Sequence, residues 1–488
     1  MKRIYRIAAL LCMCTLMLSL AGCSKEGEEE SKDTVIIRVL ENDTAKSEGY
    51  LDELINAFNE EYKDKGIQAV DANMDEYTNL AENGPYGYGP DVIYQANDKL
   101  MTYAEDKHII ALNYEELECY SQIPKEAWDA FRISVDGKSY VCAVPVNIQE
   151  PMFFYREDMM PDDWEAKWDD NKNSVPDFFE SWNDLYAYSK ELRDADSSAN
   201  KDSSYGYMAS LNNLYMSAQF IFSYGGYVFG ENEDGTLDSK DIGFSANDAA
   251  VGVSALKQLA GLMNEGCIDD TITMNRYEKL ANGTYFCTVS TPDTYSVFVD
   301  KLALKYEENG MGKDEAYAEA TKNLKMIELP GLLPKDGDLS TPTDSMSEDD
   351  FVKSVVMGGV NGYGVSSYSE HREESIKFVE FAAGYEMIKK RAQMLGIAPA
   401  RSDVAKEVGG VSDTIFNSLK EGRIYLMPSI KAVDQIWVPA QSMLADIAKD
   451  AFRKSKGETE KYPDVEAIKK ALESVDKNIY DSIYTLDE

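Results

Sequence analysis

Histidine is almost missing from this chain: His108 and His371 are the only two in 488 residues. Each sits among charged or helix-forming neighbours and neither lies at a metal-ligand spacing, so both read as solvated surface side chains. A Ser-His-Asp arrangement would have to use one of them, and no GxSxG elbow occurs. No GxxxxGK[ST] and no GxGxxG appears, which leaves nucleotide cradling without support. Cysteines at CxxC spacing are absent too, so a zinc site of the common kind has no ligand set. Basic residues are scarce beside acidic ones, 49 against 87, for a formal net charge of -38. That charge repels nucleic-acid phosphates and anionic headgroups, which argues against a nucleic-acid partner. Beyond Ser24 no apolar run is long enough to span a bilayer.

What is present is a large apolar inventory. Hydrophobic residues make up 44% of the 488, too much chain for one compact core, so two lobes are expected. Thirty-one tyrosines speak against a disordered chain. Of the seven cysteines, Cys119, Cys142, Cys267 and Cys287 are widely spaced among apolar neighbours. They read as free, buried thiols, with two disulfides as the alternative.

The N-terminus carries an address. Lys2, Arg3 and Arg6 precede an uncharged apolar run from Ile7 to Leu20, the form of a signal-peptide core. It ends in Leu20-Ala21-Gly22-Cys23, which resembles a bacterial lipobox, so residues 1–23 read as a lipoprotein leader with Cys23 the lipidated residue. Losing the three cations with the leader takes the formal charge from -38 to -41. Residues 24–33 are acidic and lack apolar side chains, as a tether would.

Val35 to Leu40 reads as a buried strand, Leu51 to Tyr62 as a helix and Gly66 to Val70 as a second strand. This β-α-β order implies a parallel sheet with covering helices, an α/β fold. Gly89-Pro90-Asp91 reads as a turn entering a third strand. Val141 to Val146 and Met152 to Tyr155 read as strands around Pro145 and Pro151. Lys301 to Asn323 reads as helical, Val355 to Val365 as Gly-rich and extended. Val465, Ile468, Leu472, Val475 and Ile479 form an apolar stripe expected to pack on a sheet.

Several loops after expected strands combine aromatic rings with amides or charges: Tyr94 to Lys99, Asn213 to Tyr215, Pro292 to Tyr295, and Ile436-Trp437. Sugars offer apolar C–H faces and a ring of hydroxyls, which such groups can stack on and hydrogen-bond. In open α/β folds ligands sit outside the carboxyl ends of strands, where these loops fall.

Five blocks in order carry a resemblance. They are Gly89 to Ile93 with Asn97-Asp98-Lys99, Ala143 to Val146 with Phe154 to Asp158, Gly225 to Phe229, Gly358 to Ser367, and Met427-Pro428-Ser429 with Trp437. Together they resemble the family 1 extracellular solute-binding proteins, and most closely their maltose/maltodextrin-binding members, from about Val35 to about Ile479. The resemblance implies a two-lobed type II periplasmic-binding-protein fold with a ligand cleft between lobes joined by hinge strands. Lobe one would comprise 34–147 plus about 362–410, and lobe two 148–361 plus about 411–488. It implies a monomer that captures an oligosaccharide, a maltodextrin or related α-glucan, and hands it to the transmembrane subunits of an ABC permease. No catalysis, cofactor or metal is implied, and the membrane would be reached through the lipid anchor alone.

By position, Asp43 and Asp98 match groups that hydrogen-bond sugar hydroxyls. Lys99 stands where the family often has Arg, keeping charge and losing the planar fork. Glu150 lies one residue from a binding carboxylate whose direct match is Gln149. Tyr215 and Trp437 match stacking aromatics, and Met427 a residue at the cleft edge. Gln95 and Asp293 stand where maltose binders carry Trp, with Tyr295 two residues on, and Asn213 replaces a carboxylate. Another sugar, or a cationic ligand drawn by Asp43, Asp98, Glu150 and Asp293, is the alternative within the fold. A surface glycosidase, which needs only two placed carboxylates, is the enzymatic one.

Overall fold

The computed structural model describes residues 34–135, 138–195, 205–232, 236–268 and 270–484. The leader, Cys23 and the tether lie outside the described residues.

The chain opens with β1 (Val35–Leu40), whose inner residues Ile37, Val39 and Leu40 are buried. Asn42 then caps α1 (Asp43–Ser47), its side chain accepting the Ala45 N–H at 2.8 Å. Helix α2 (Tyr50–Glu61) buries Tyr50, Leu51, Leu54 and Phe58, the stripe expected from their spacing. It returns to β2 (Ile67–Asp71), which pairs parallel to β1 from Val35↔Ile67. Strand β3 (Val92–Ala96) joins β1 on its other side, parallel, and runs straight into α3 (Asn97–Glu105).

Strand β4 (Ala143–Gln149) is buried up to Ile148, then the chain crosses at Glu150-Pro151 into β5 (Met152–Arg156) of a second sheet. That sheet adds β6 (Tyr205–Tyr207), β7 (Tyr285–Ser290) and β8 (Leu324–Glu328) in the order β8-β5-β7-β6. The chain recrosses at Ser354-Val355 into β9 (Val356–Val365), which lies antiparallel between β3 and β4. Strands β10 (Ala398–Pro399) and β11 (Ile424–Leu426) complete the large sheet, β10 beside β4 and β11 beside the start of β9. The result is two α/β lobes, each with its own apolar core.

Glycine in β9 is a packing requirement. A Cβ on Gly358 would lie 2.2 Å from Ile424 Cγ2, and one on Gly362 would lie 2.6 Å from the Val144 carbonyl oxygen. The long helical stretch read at Lys301–Asn323 is two helices, Tyr295–Glu308 and Lys313–Asn323, separated by a turn at Gly310, where φ is +99°. The stripe at Ile468, Leu472, Val475 and Ile479 is buried on helix Val465–Tyr484, while Val465 at its start is exposed. The helix packs on strand Leu237–Gly243 of a two-stranded sheet, as expected of a sheet partner, and also on helices Ala249–Ala260 and Trp437–Asp450. Periodicity shows that a face is covered, not what covers it. Cys119, Cys142 and Cys287 are buried free thiols, as expected; burial pushes the Cys119 thiol up to about 11.

Inside lobe one, Arg391 and Glu41 form a buried ion pair at 2.8 Å, with side chains 1% and 0% exposed. The Arg391 guanidinium lies 4.2 Å from the Tyr94 ring centroid and 4.8 Å from that of Tyr50, and Tyr363 donates its hydroxyl hydrogen bond to Glu41. Arg391→Leu leaves Glu41 charged and unpaired in the core, and is expected to cost about 3–5 kcal/mol in urea unfolding. The double variant with Glu41→Gln should recover part of that loss; a single-variant loss under about 1 kcal/mol would contradict the pairing argument.

Candidate functional site

The carboxyl ends of β1 and β3 in lobe one, and of β6 and β7 in lobe two, carry most of the expected site residues. Asp43 opens α1 with a side chain 67% exposed, and its N–H donates to Glu76 Oε2 at 2.9 Å. Gln95, next to last in β3, donates from Nε2 to the Glu76 carbonyl at 2.6 Å. Asp98 and Lys99 lie in the first turn of α3. Burial raises the Asp98 carboxyl, opposed by the Lys99 N–H and ammonium and reinforced by Asp434. The Lys99 ammonium sits 5.6 Å from the Tyr103 ring centroid.

In lobe two, Asn213 caps the short helix Leu214–Ser217, accepting the Met216 N–H at 3.3 Å, and so fixes Tyr215. The Tyr215 hydroxyl donates to the Gln149 carbonyl at 3.2 Å, tying lobe two to the last residue of β4. Burial raises this hydroxyl well above the usual tyrosine range, and the charges of Glu150, Asp293 and Asp98 add to it. The structure thus brings Tyr215, Asp98, Asp293 and the crossing strand together, from both lobes. Asp293 is raised by burial and by Glu76 of the opposite lobe, against the pull of Thr291 and Arg276, and its Oδ1 has no hydrogen-bond partner. Trp437 opens the helix Trp437–Asp450, half-buried against the lobe-two core, and that helix packs on the one carrying Tyr215.

Three further expected residues each line a cavity. Glu150 is 3% exposed and points into a cavity of about 10 Å³ with Glu328, Ser354 and Arg423. The Gln149 carbonyl accepts the Tyr215 hydroxyl, while the Glu150 side chain is enclosed. Burial raises Glu150 well above the carboxylate range, Glu328 adds to the rise and Arg423 opposes it. Met427 is 7% exposed and lines a cavity of about 620 Å³ with Ala130 and Phe229. Tyr295 donates its hydroxyl to the Thr321 carbonyl at 3.4 Å and lines a cavity of about 520 Å³ with Ala392 and Val411.

Sequence reasoning passed over Glu76, whose carboxylate and carbonyl join Asp43 to Gln95. The signal was its place in the polar loop after β2, at a strand's carboxyl end. Among the described residues no group of three or more His, Cys, Asp or Glu is placed to hold a metal ion, and no helix is long and apolar enough to cross a membrane.

Two α/β lobes with facing polar and aromatic groups define the class of two-lobed ligand-binding proteins. The family model for the bacterial extracellular solute-binding protein matches residues 53–417, and the chain belongs to that family, whose members are binding proteins. The galactooligosaccharide-binding protein of Bacillus subtilis (strain 168) is 24% identical over 459 residues, 92% of this chain and 93% of that protein. The maltodextrin-binding protein MdxE of the same organism is 23% identical over 452 residues, 90% of this chain and 92% of that protein. Among solved structures, MalX from Streptococcus pneumoniae in complex with maltopentaose matches with a TM-score of 0.65 at 18% identity, covering 92% of this chain and all of that one (100%).

The raised carboxyls give a signed prediction. A folded-state pKa above the unfolded value of about 3.9 means the native state binds the proton more tightly, so the charged form costs stability at neutral pH and the cost disappears as pH falls. Asp293→Asn should therefore raise Tm at pH 7 by about 1–3 °C, with the gain shrinking towards pH 4. An equal gain at both pH values would show that charge is not its source.

Proposed function

We propose that the protein is the ligand-capturing subunit of a carbohydrate ABC importer, holding an oligosaccharide in the interlobe cleft without chemistry of its own. The observation that carries this reading is Tyr215, presented among Asp98, Asp293 and the Gln149 crossing on facing walls. An aromatic face with flanking carboxylates matches a pyranose: the ring stacks on its C–H face while its hydroxyls donate to the acids. Maltodextrin or a related α-glucan fragment is the class favoured by the names of the solved neighbours and of MdxE. A galactooligosaccharide is the second reading, favoured by the other Bacillus relative. In this reading lobe one comprises 34–147 and about 362–410, Cys23 carries the lipid that holds the protein on the outer membrane face, and a monomer docks on the permease's transmembrane subunits.

A thermal-shift panel of maltodextrins, galactooligosaccharides, xylo- and manno-oligosaccharides and a polyamine tests the proposal. A ligand at a hundredfold its Kd adds about 2.7 kcal/mol and raises Tm accordingly. Silence from every sugar at millimolar concentration would overturn capture; a salt-sensitive shift with the polyamine alone would transfer the site to a cation. Trp437→Ala should weaken the binding sugar about tenfold, and unchanged affinity removes Trp437 from the site. Cys23→Ser should move the protein from the membrane fraction to the medium or soluble fraction.

A further inference from the structure

Tyr77 is 80% exposed, the most open of the large apolar side chains among the described residues. Its loop is nevertheless pinned. The Tyr77 N–H donates to Asp75 Oδ1 at 2.9 Å and the Thr78 N–H to the Asp75 carbonyl at 2.9 Å. Lys46 Nζ donates to the Met74 carbonyl at 2.7 Å, while Glu76 takes the Asp43 N–H on its carboxylate and Gln95 Nε2 on its carbonyl. The loop that follows β2 is thereby bound to the carboxyl ends of β1 and β3, the end of lobe one that faces Asp293 of lobe two. The other widely exposed tyrosines of this lobe, Tyr86 and Tyr88, precede β3 and lie at the opposite end of the sheet.

The Tyr77 backbone is thus held in place while its ring is left in water at the rim opposite Asp293. We propose that Tyr77 is a stacking platform for one pyranose ring of the captured oligosaccharide, on the lobe-one rim, with Asp43 and Glu76 flanking that ring's hydroxyls. The inference rests on the oligosaccharide reading above. Tyrosine suits the task because fixing it restricts two torsions only, and its ring offers a flat apolar face with a polar edge. Its phenol, pushed up to about 12 chiefly by the hydrogen bond to Glu76 and then by burial, remains protonated and a donor at neutral pH. Tyr77 and Tyr215 would then grip the ligand from different lobes.

The test is calorimetric titration of the full-length chain in detergent with maltotetraose and with a galactotetraose, for the unaltered protein and for Tyr77→Ala, Tyr77→Phe and Tyr86→Ala. Tyr77→Ala should weaken the bound tetrasaccharide about tenfold, while Tyr77→Phe, which keeps the ring, and Tyr86→Ala stay within about twofold. All three should keep the parent Tm, because neither ring is buried. A Tyr77→Ala affinity within about twofold of the parent overturns the platform and leaves capture standing. An unaltered chain that binds neither sugar, nor any other oligosaccharide of the panel, overturns capture and the platform with it, so the two failures read differently.

Discussion

The buried amide of Asn97 is the node on which the site depends. Its Nδ2 donates to the Met427 carbonyl at 2.9 Å, and its Oδ1 accepts the Val360 N–H at 3.2 Å. Those partners come from the recrossing strand and from the segment leading to Trp437, far apart in sequence. The side chain is fully buried, so each of these groups would be left unsatisfied without the others, at about 1–3 kcal/mol apiece. Asp98 and Lys99 follow Asn97 directly, so the bond that closes the large sheet also sets where the lobe-one polar groups stand. A cleft formed by such shared strands can change its opening only by rotation about the crossings, because each lobe carries its own packed core.

Charge sets the second constraint. Asp98, Asp293 and Glu76 are like-charged groups from two lobes, and burial raises the first two. Drawing the walls together without a partner therefore adds repulsion and desolvation to the cost of closure. Hydroxyl donors between the walls reverse that term, since each supplies a hydrogen bond to a carboxylate that water could no longer reach. In such a cleft, closure is favoured by a ligand rich in donors and disfavoured without one.

Much of this fold was legible in the sequence. The alternation of short β-branched runs with amphipathic segments marks β1, α2, β2 and β3, and the helix that ends the described chain follows from one stripe of residues. The site was legible in part. Asp43, Gln95, Asp98, Tyr215 and Asp293 are candidates because their loops follow strands, and Trp437 because an aromatic ring opens a helix there. The loop of Glu76 and Tyr77 was not singled out, because an irregular polar loop carries no periodicity, and only tertiary hydrogen bonds show that it is held against β1 and β3. Tyr295 and Met427 each line a cavity beside those elements.

Gln149 and Glu150, consecutive at the first crossing, stand in different surroundings. Gln149 is the half-exposed end of β4 and receives the Tyr215 hydroxyl on its carbonyl. Glu150 is enclosed beside Ser354 of the recrossing, and the Oε1 and the Ser354 Oγ lack hydrogen-bond partners. Arg423, the nearby cation, is already held by Glu328 at 3.3 Å and Glu421 at 3.0 Å. Burial and Glu328 raise this carboxyl against the pull of Arg423, and the place where both crossings meet carries a buried polar group without a fixed ion pair.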